Sequence, residues 1–359
     1  MTRAFWLRGL LLVLACLTSA GAMAAPEEPW QRHNAAGLQA LQQRRFADAE
    51  IRFTAALREA ERRGPDSARV AATLDNQARL LATQGRFARA EARLRRALAI
   101  REKVLAADDP ELAATLGRIG ALALRQHRLV EAERLVKPAV ASLERTLGAD
   151  DPRLAAALNT LGTIALMRGK LEEAEPYIKR ALAIREAALG ATHPDVAESA
   201  NNLGFLYLKR NQVVEAESLL GRALAIRERV LDPDHPDVAE SLNNLGALDI
   251  MLGRFAEAAP RLESALAMRE RAYGPAHWEV GQTLYNLGVL HHFQGDLAKA
   301  EPYYRRALAV QQAALGPDHP DLADTLDNYA DILVMDGQGA EAARFKERAA
   351  RIRANTNRP

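Results

Sequence analysis

The residues of this sequence best suited to chemistry are four histidines and a set of asparagines. His193, His235 and His319 each stand before Pro-Asp, and His277 holds the same place before Trp-Glu. Eight and nine residues further on come Asn201-Asn202, Asn243-Asn244, Tyr285-Asn286 and Asp327-Asn328. An imidazole can ligate a metal or move a proton. A carboxamide offers donors and an acceptor matched to a peptide backbone. Spacing decides about the histidines. They recur every 42 residues, which puts them on separate structural units about 10 Å or more apart. Zinc needs its ligands within about 2.1 Å of one ion, so such a column cannot converge on a metal. Asp109 and Asp151 fill the same position in two further units, as a helix N-cap allows. The histidines are therefore read as caps, and neither a metal nor another cofactor is expected.

The 42-residue period organises the whole chain. Leu105, Leu147, Leu189, Leu231, Tyr273 and Leu315 stack in one column. After each comes a short Gly/Asp/Pro/His stretch and then two helical segments, a helix A and a helix B. Pro194, Pro236 and Pro320 suit the first turn of helix A. Gly85, Gly169, Gly253, Gly295 and Gly337 punctuate the turn from A to B, with Asn211 in the same role. Gly148, Gly190, Gly274 and Gly316 stop helix B. Pro176, Pro260 and Pro302 fall inside helix B, where each removes one hydrogen bond. A column of small residues runs Ala78, Gly120, Gly162, Gly204, Gly246, Gly288, Ala330, and two alanine columns, from Ala90 to Ala342 and from Ala97 to Ala349, face it. Units of this length bury a face only against their neighbours.

These columns resemble the tetratricopeptide repeat. With "LGPDHPDLADTLDNYA" (315–330) and "AEPYYRRALAV" (300–310), the period is most similar to the variant of kinesin light chains. The resemblance covers about 31–354. It implies an all-α fold, a right-handed α-solenoid of about eight stacked helix-turn-helix units near 31–62, 63–104, 105–146, 147–188, 189–230, 231–272, 273–314 and 315–354. A polar tail, 355–359, follows. Helix B of the last unit, 340–354, is strongly charged, as a terminal cap must be.

The resemblance also implies a concave groove lined by helix A. The column Asn76, Arg118, Thr160, Asn202, Asn244, Asn286, Asn328 faces it in related repeats, where asparagine grips the backbone of a bound segment. Two readings stand: the amides hold a ligand, or they hydrogen-bond the neighbouring helix. Four such bonds at about 1 kcal/mol each give only millimolar affinity, so pockets beside them would set selectivity. Glu198, Glu240, Gln282 and Asp324 form an acidic column, and Asp75, Asn159, Asn201, Asn243, Tyr285 and Asp327 the next. Basic Arg79, Arg118, Arg125 and Arg168 come earlier, with Lys209 and Arg210 midway. The candidate groove residues are thus Asn76, Asn201, Asn202, Asn243, Asn244, Asn286, Asn328, Glu198, Glu240, Tyr285 and Lys209. A groove polarised in this way would prefer a basic segment toward its C-terminal half. One anomaly is Asp249, with His291 a unit later at the same interhelix position. A pair there would respond to pH.

No nucleophile elbow, phosphate-cradling loop or HExxH occurs, so no enzyme is expected. Residues 1–24, "MTRAFWLRGLLLVLACLTSAGAMA", carry Arg3 and Arg8, an apolar run and a small-x-small end. That pattern is an export signal cleaved after Ala24, with a lipoprotein anchored through Cys16 as the alternative. Without them the chain has 46 basic and 46 acidic residues and no cysteine. Nucleic acid is disfavoured as a partner by that neutrality, and no disulfide can form. The expected role is a non-enzymatic module that binds an extended protein segment in its groove after export, with the periplasm as the expected place. An envelope assembly scaffold using the convex face or the solenoid ends is the alternative, and a pH-responsive sensor a further one.

Overall fold

Small residues let two helices of each unit lie almost in backbone contact. The computed structural model describes residues 28–356 apart from Gly85 and His127. The export segment 1–24 with Cys16, the turn glycine Gly85 and residues 357–359 of the expected tail lie outside the described residues. Within them sixteen helices follow one another, and no strand occurs. They pair as α1 (Pro29–Gln42) with α2 (Phe46–Arg62), α3 (Ala68–Thr83) with α4 (Phe87–Val104), α5 (Pro110–Arg125) with α6 (Leu129–Leu147), and α7 (Pro152–Met167) with α8 (Leu171–Leu189). The row goes on with α9 (Pro194–Lys209) and α10 (Val213–Val230), α11 (Pro236–Met251) and α12 (Phe255–Tyr273), α13 (Trp278–Phe293) and α14 (Leu297–Leu315), α15 (Leu322–Met335) and α16 (Gly339–Thr356).

Each helix packs chiefly on its chain neighbours, as in an α-solenoid. Odd-numbered helices also touch one another across units along most of the row, whereas even-numbered ones do not. The row therefore curves with the odd helices inside, and they line the concave face. The apolar core is a continuous seam between the two rows. Its largest stretch joins Leu166, Ile178, Leu206, Leu220 and Leu248.

Helix boundaries follow the sequence signals with three differences. The helix-B stops hold: Gly148, Gly190, Gly274 and Gly316 have φ of 84°, 83°, 84° and 95°, a region that favours glycine. Asn211 takes φ 58° in its turn. Pro320 lies outside α15, because that helix starts at Leu322, two residues later than its counterparts start after their histidines. The final helix continues through Asn355 and Thr356, residues expected in the tail. A fourth internal proline, Pro138 in α6, joins Pro176, Pro260 and Pro302.

The small column marks the crossing of each pair. A Cβ added at Gly162, Gly204, Gly246 or Gly288 would lie 2.5–2.8 Å from a side-chain carbon of Ile178, Leu220, Leu262 or Tyr304. Gly117 differs: its Cβ would meet only the Ala157 Cβ, at 3.8 Å. The same substitution should act in opposite directions at the two kinds of site. Gly162→Ala is expected to cost about 1–3 kcal/mol through overpacking. Gly117→Ala is expected to gain about 0.5–1 kcal/mol through helix propensity. Urea midpoints of the two variants check this.

Candidate functional site

The asparagines form a ladder between successive inner helices. Asn202 Nδ2 donates to Asn159 Oδ1 at 3.3 Å and to Thr163 Oγ1 at 3.2 Å. Asn244 Nδ2 donates to Asn201 Oδ1 at 3.2 Å, and Asn286 Nδ2 to Asn243 Oδ1 at 3.0 Å. Asn328 Nδ2 donates to the Tyr285 hydroxyl at 2.8 Å, and Asn76 Nδ2 to Asn34 Oδ1 at 2.8 Å. Arg118 makes the equivalent rung to Asp75 at 2.9 Å. One rung is missing. Thr160 would face Gly117, which has no side chain, and its hydroxyl turns back to the Ala156 carbonyl at 2.9 Å.

Each rung thus has an inner and an outer member. The inner residues Asn159, Asn201 and Asn243 are 3%, 1% and 5% exposed. Asn201 and Asn243 were expected to line the groove; burial removes them from it, and they act as acceptors for the next helix. The outer residues Asn76, Asn202, Asn244, Asn286 and Asn328 are half-buried. Both readings of the column therefore have a physical counterpart: one amide N–H holds the neighbour, while the rest of the group borders solvent. Tyr285 is half-buried too, and burial pushes its phenol up to about 12. Lys209 is exposed and lies over the Phe205 ring at 5.3 Å.

Most of the groove charges are already paired. Glu198 meets Arg185 and Glu240 meets Arg227, each at 2.9 Å. Asp324 meets Arg353 at 2.9 Å. Among the basic residues, Arg118 is held by Asp75, Arg168 by Glu133 and Arg210 by Glu175. Arg79 and Lys209 are exposed and in no ion pair among the described residues.

A buried guanidinium column escaped the sequence reading. Arg101, Arg185, Arg227 and Arg269, near the ends of α4, α8, α10 and α12, are 2–7% exposed. Each points into the next unit. Arg185, Arg227 and Arg269 donate to the Ser199, Ser241 and Thr283 hydroxyls, all at 2.7 Å. The same nitrogens donate to the carbonyls of Asp195, Asp237 and Glu279 at 2.8–2.9 Å. Arg101 donates to Thr115 at 2.9 Å and to Asp75. Gln311 and Thr325 keep a neutral version at 2.8 Å. In α6 and α7 the pair is Leu143 and Ala157, both buried. Arginine and hydroxyl are lost together there. An arginine followed 14 residues later by Ser or Thr, repeated unit by unit, was the available signal.

The histidines cap. Nδ1 of His193, His235, His277 and His319 accepts from the backbone N–H two residues on, at 3.1, 3.0, 3.3 and 3.2 Å. Asp109 and Asp151 do the same at 2.8 Å. With Nδ1 as acceptor, a neutral ring carries its proton on Nε2. His277 is the most perturbed, stacked on Tyr273 at 4.3 Å. Burial first, then the charges of Arg125 and Arg269, push it down to about 4. Asp249 does not pair with His291, which the sequence left open. Its buried carboxylate binds Arg261 on the partner helix of its own unit. Burial raises its pKa against the pull of that guanidinium. His291 instead stacks on Tyr303 at 5.5 Å.

The tetratricopeptide-repeat model matches residues 32–103, 111–187, 165–229, 195–271 and 279–355. The chain belongs to this family. No curated protein matches the repeat chain significantly in sequence. Among solved structures, BtubC (BKLC) from P. vanneervenii is 25% identical, over 68% of this chain and 92% of that one, with a TM-score of 0.45. A Rap protein complexed with competence and sporulation factor is 14% identical, over 93% of this chain and 89% of that one, at 0.63. The apo form of RapI is 12% identical, over 79% and 97%, at 0.55. At such identities the Rap structures show that the fold is shared.

Two outcomes follow for this tetratricopeptide-repeat chain. Arg227→Leu should cost about 2–3 kcal/mol, because it strands the Ser241 hydroxyl and the Asp237 carbonyl. Adding Ser241→Ala should recover about half of that, as the native Leu143–Ala157 pair does without either polar group. A double-mutant cycle by thermal melting measures it. His277 is neutral in the fold down to about pH 4 but titrates near 6.5 when unfolded. The unfolded chain takes up that proton first, so stability falls as the pH drops from about 6.5 to 4. In His277→Asn, which keeps a cap, the melting temperature should fall less steeply across that range.

Proposed function

We propose that the chain is a non-enzymatic protein-interaction module that holds an extended segment of a partner along its inner helices. One observation carries this reading. The outer asparagines Asn286 and Asn328 each use one N–H on a rung, Asn202 donates to both Asn159 and Thr163, and the carbonyl oxygens of all three accept no hydrogen bond among the described residues. An acceptor is therefore offered in three of the last four units, with a spare donor at Asn286 and Asn328, at the half-buried edge of the concave face. Units about 10 Å apart match about three residues of extended chain at 3.3 Å each. The rungs fix where those amides sit, so little ordering is lost on binding. Capture would take place after export of the mature chain.

The alternative, an assembly scaffold for folded partners, draws on a different row. Met251, Phe293 and Met335 end α11, α13 and α15 and are 53–68% exposed. The two readings separate by substitution. Peptides selected from a random display library on the wild-type chain should lose binding at least tenfold to Asn202→Ala/Asn286→Ala/Asn328→Ala. They should keep it with Gly162→Ala, which lowers the melting temperature through overpacking and touches no rung. If the outer variant binds as well as the wild type, or only Met251→Ser/Phe293→Ser/Met335→Ser loses binding, the groove reading fails.

A further inference from the structure

Three contacts join parts of the chain that lie about four units apart. Arg44, in the α1–α2 turn, donates to the Asp234 carbonyl in the α10–α11 turn at 2.8 Å. At the same 190-residue offset, the Phe87 ring lies 6.4 Å from the ring of His277, in the α12–α13 turn. Arg125, the last residue of α5, donates to Glu279 Oε1 in the first turn of α13 at 2.7 Å. Its guanidinium also lies 5.9 Å from the Phe87 ring centre. All three join the edge that carries the A-to-B turns of the first three units to the edge that carries the unit-to-unit turns of the sixth and seventh. Successive turns of the coil therefore touch rim to rim at these three points.

The chemistry of these contacts is that of a latch. Glu279 is almost fully buried and keeps Arg269 at 3.4 Å even without its distant partner. Arg125 is half exposed and has no other acidic partner within ion-pair distance among the described residues. Parting the rims would leave neither carboxylate nor guanidinium stranded, because one keeps a cation and the other meets water. The joint that can yield lies between the two halves of the latch. The interface of α5–α6 with α7–α8 lacks the asparagine rung, at Gly117 and Thr160, and also the buried guanidinium, at Leu143 and Ala157. The ties that remain across it are the ion pairs of Arg153 with Glu111, Arg168 with Glu133 and Arg180 with Glu144. Such solvent-accessible pairs hold weakly and apolar packing is non-directional, so this interface resists bending less than those with buried polar ties.

We propose that Arg44, Phe87 and Arg125 latch the coil onto Asp234, His277 and Glu279, and that it opens by bending at the joint between α6 and α7, which lacks both buried polar ties. That opening admits a partner segment from the side. This last step rests on the groove reading, whereas the latch and the hinge do not.

Small-angle X-ray scattering on the full chain needs no ligand and so tests the latch alone. Arg44→Ala/Arg125→Ala, with unchanged far-UV circular dichroism, should show a larger radius of gyration and maximum dimension than the wild type. Should that variant lose helix, Arg125→Gln, which removes the charge and keeps the length of the side chain, should expand in the same direction. Superimposable profiles of a folded latch variant and the wild type would overturn the latch. Adding Gly117→Asn/Thr160→Asn, which supplies the missing rung, should shrink the expansion. An undiminished expansion would overturn the hinge.

Discussion

Helix crosses helix at a residue with no Cβ in six of the eight hairpins and at an alanine in the other two, and the spacing of the molecule is set from that approach. The Leu220 side chain occupies the space that a Cβ of Gly204 would need, and Ile178, Leu262 and Tyr304 do the same one unit away or two. A hairpin closed this tightly has one shape. Copies of it stack with one offset, and only then can a side chain find the same partner 43 residues away in unit after unit. The ladder and the guanidinium joints are consequences of that uniformity. They do not create it.

Two kinds of polar tie then fix how one hairpin sits on the next. Burying a guanidinium is costly unless every donor is matched, and Arg227 meets a hydroxyl, a carbonyl and a carboxylate together. Such a group contributes modest stability, but it permits only one orientation of the next helix. The amide rungs act alike at the inner edge. Together they stiffen the curvature wherever both occur. Surface ion pairs such as Arg180–Glu144 hold much less, since exposed pairs contribute roughly 0–1 kcal/mol.

Legibility in the sequence followed locality. Caps, helix stops and crossing glycines depend on a few neighbouring residues, and they were readable. Gly148 and Asn211 take the backbone conformations their positions suggested. The asparagine column was readable as a column, but its depth was not: Asn201 and Asn202 are adjacent in sequence, yet one is sealed and the other borders solvent. Arg227 was hidden among charged neighbours on a helix that otherwise reads as solvated. Asp249 found its partner 12 residues on, in the opposite helix, where a periodic reading looked one whole unit away. Contacts such as Arg125 with Glu279 depend on the pitch of the coil, which no single repeat encodes.

The far end of the row has its own logic. On α16 the side chains of Arg344, Glu347 and Arg351 face solvent, while Ala342, Ala349 and Ile352 close the core beneath. A second molecule stacking on that surface, as one hairpin stacks on the next, would have to strip water from several ions at once without offering them counter-ions. Head-to-tail stacking of a second hairpin on this face of α16 is thereby disfavoured.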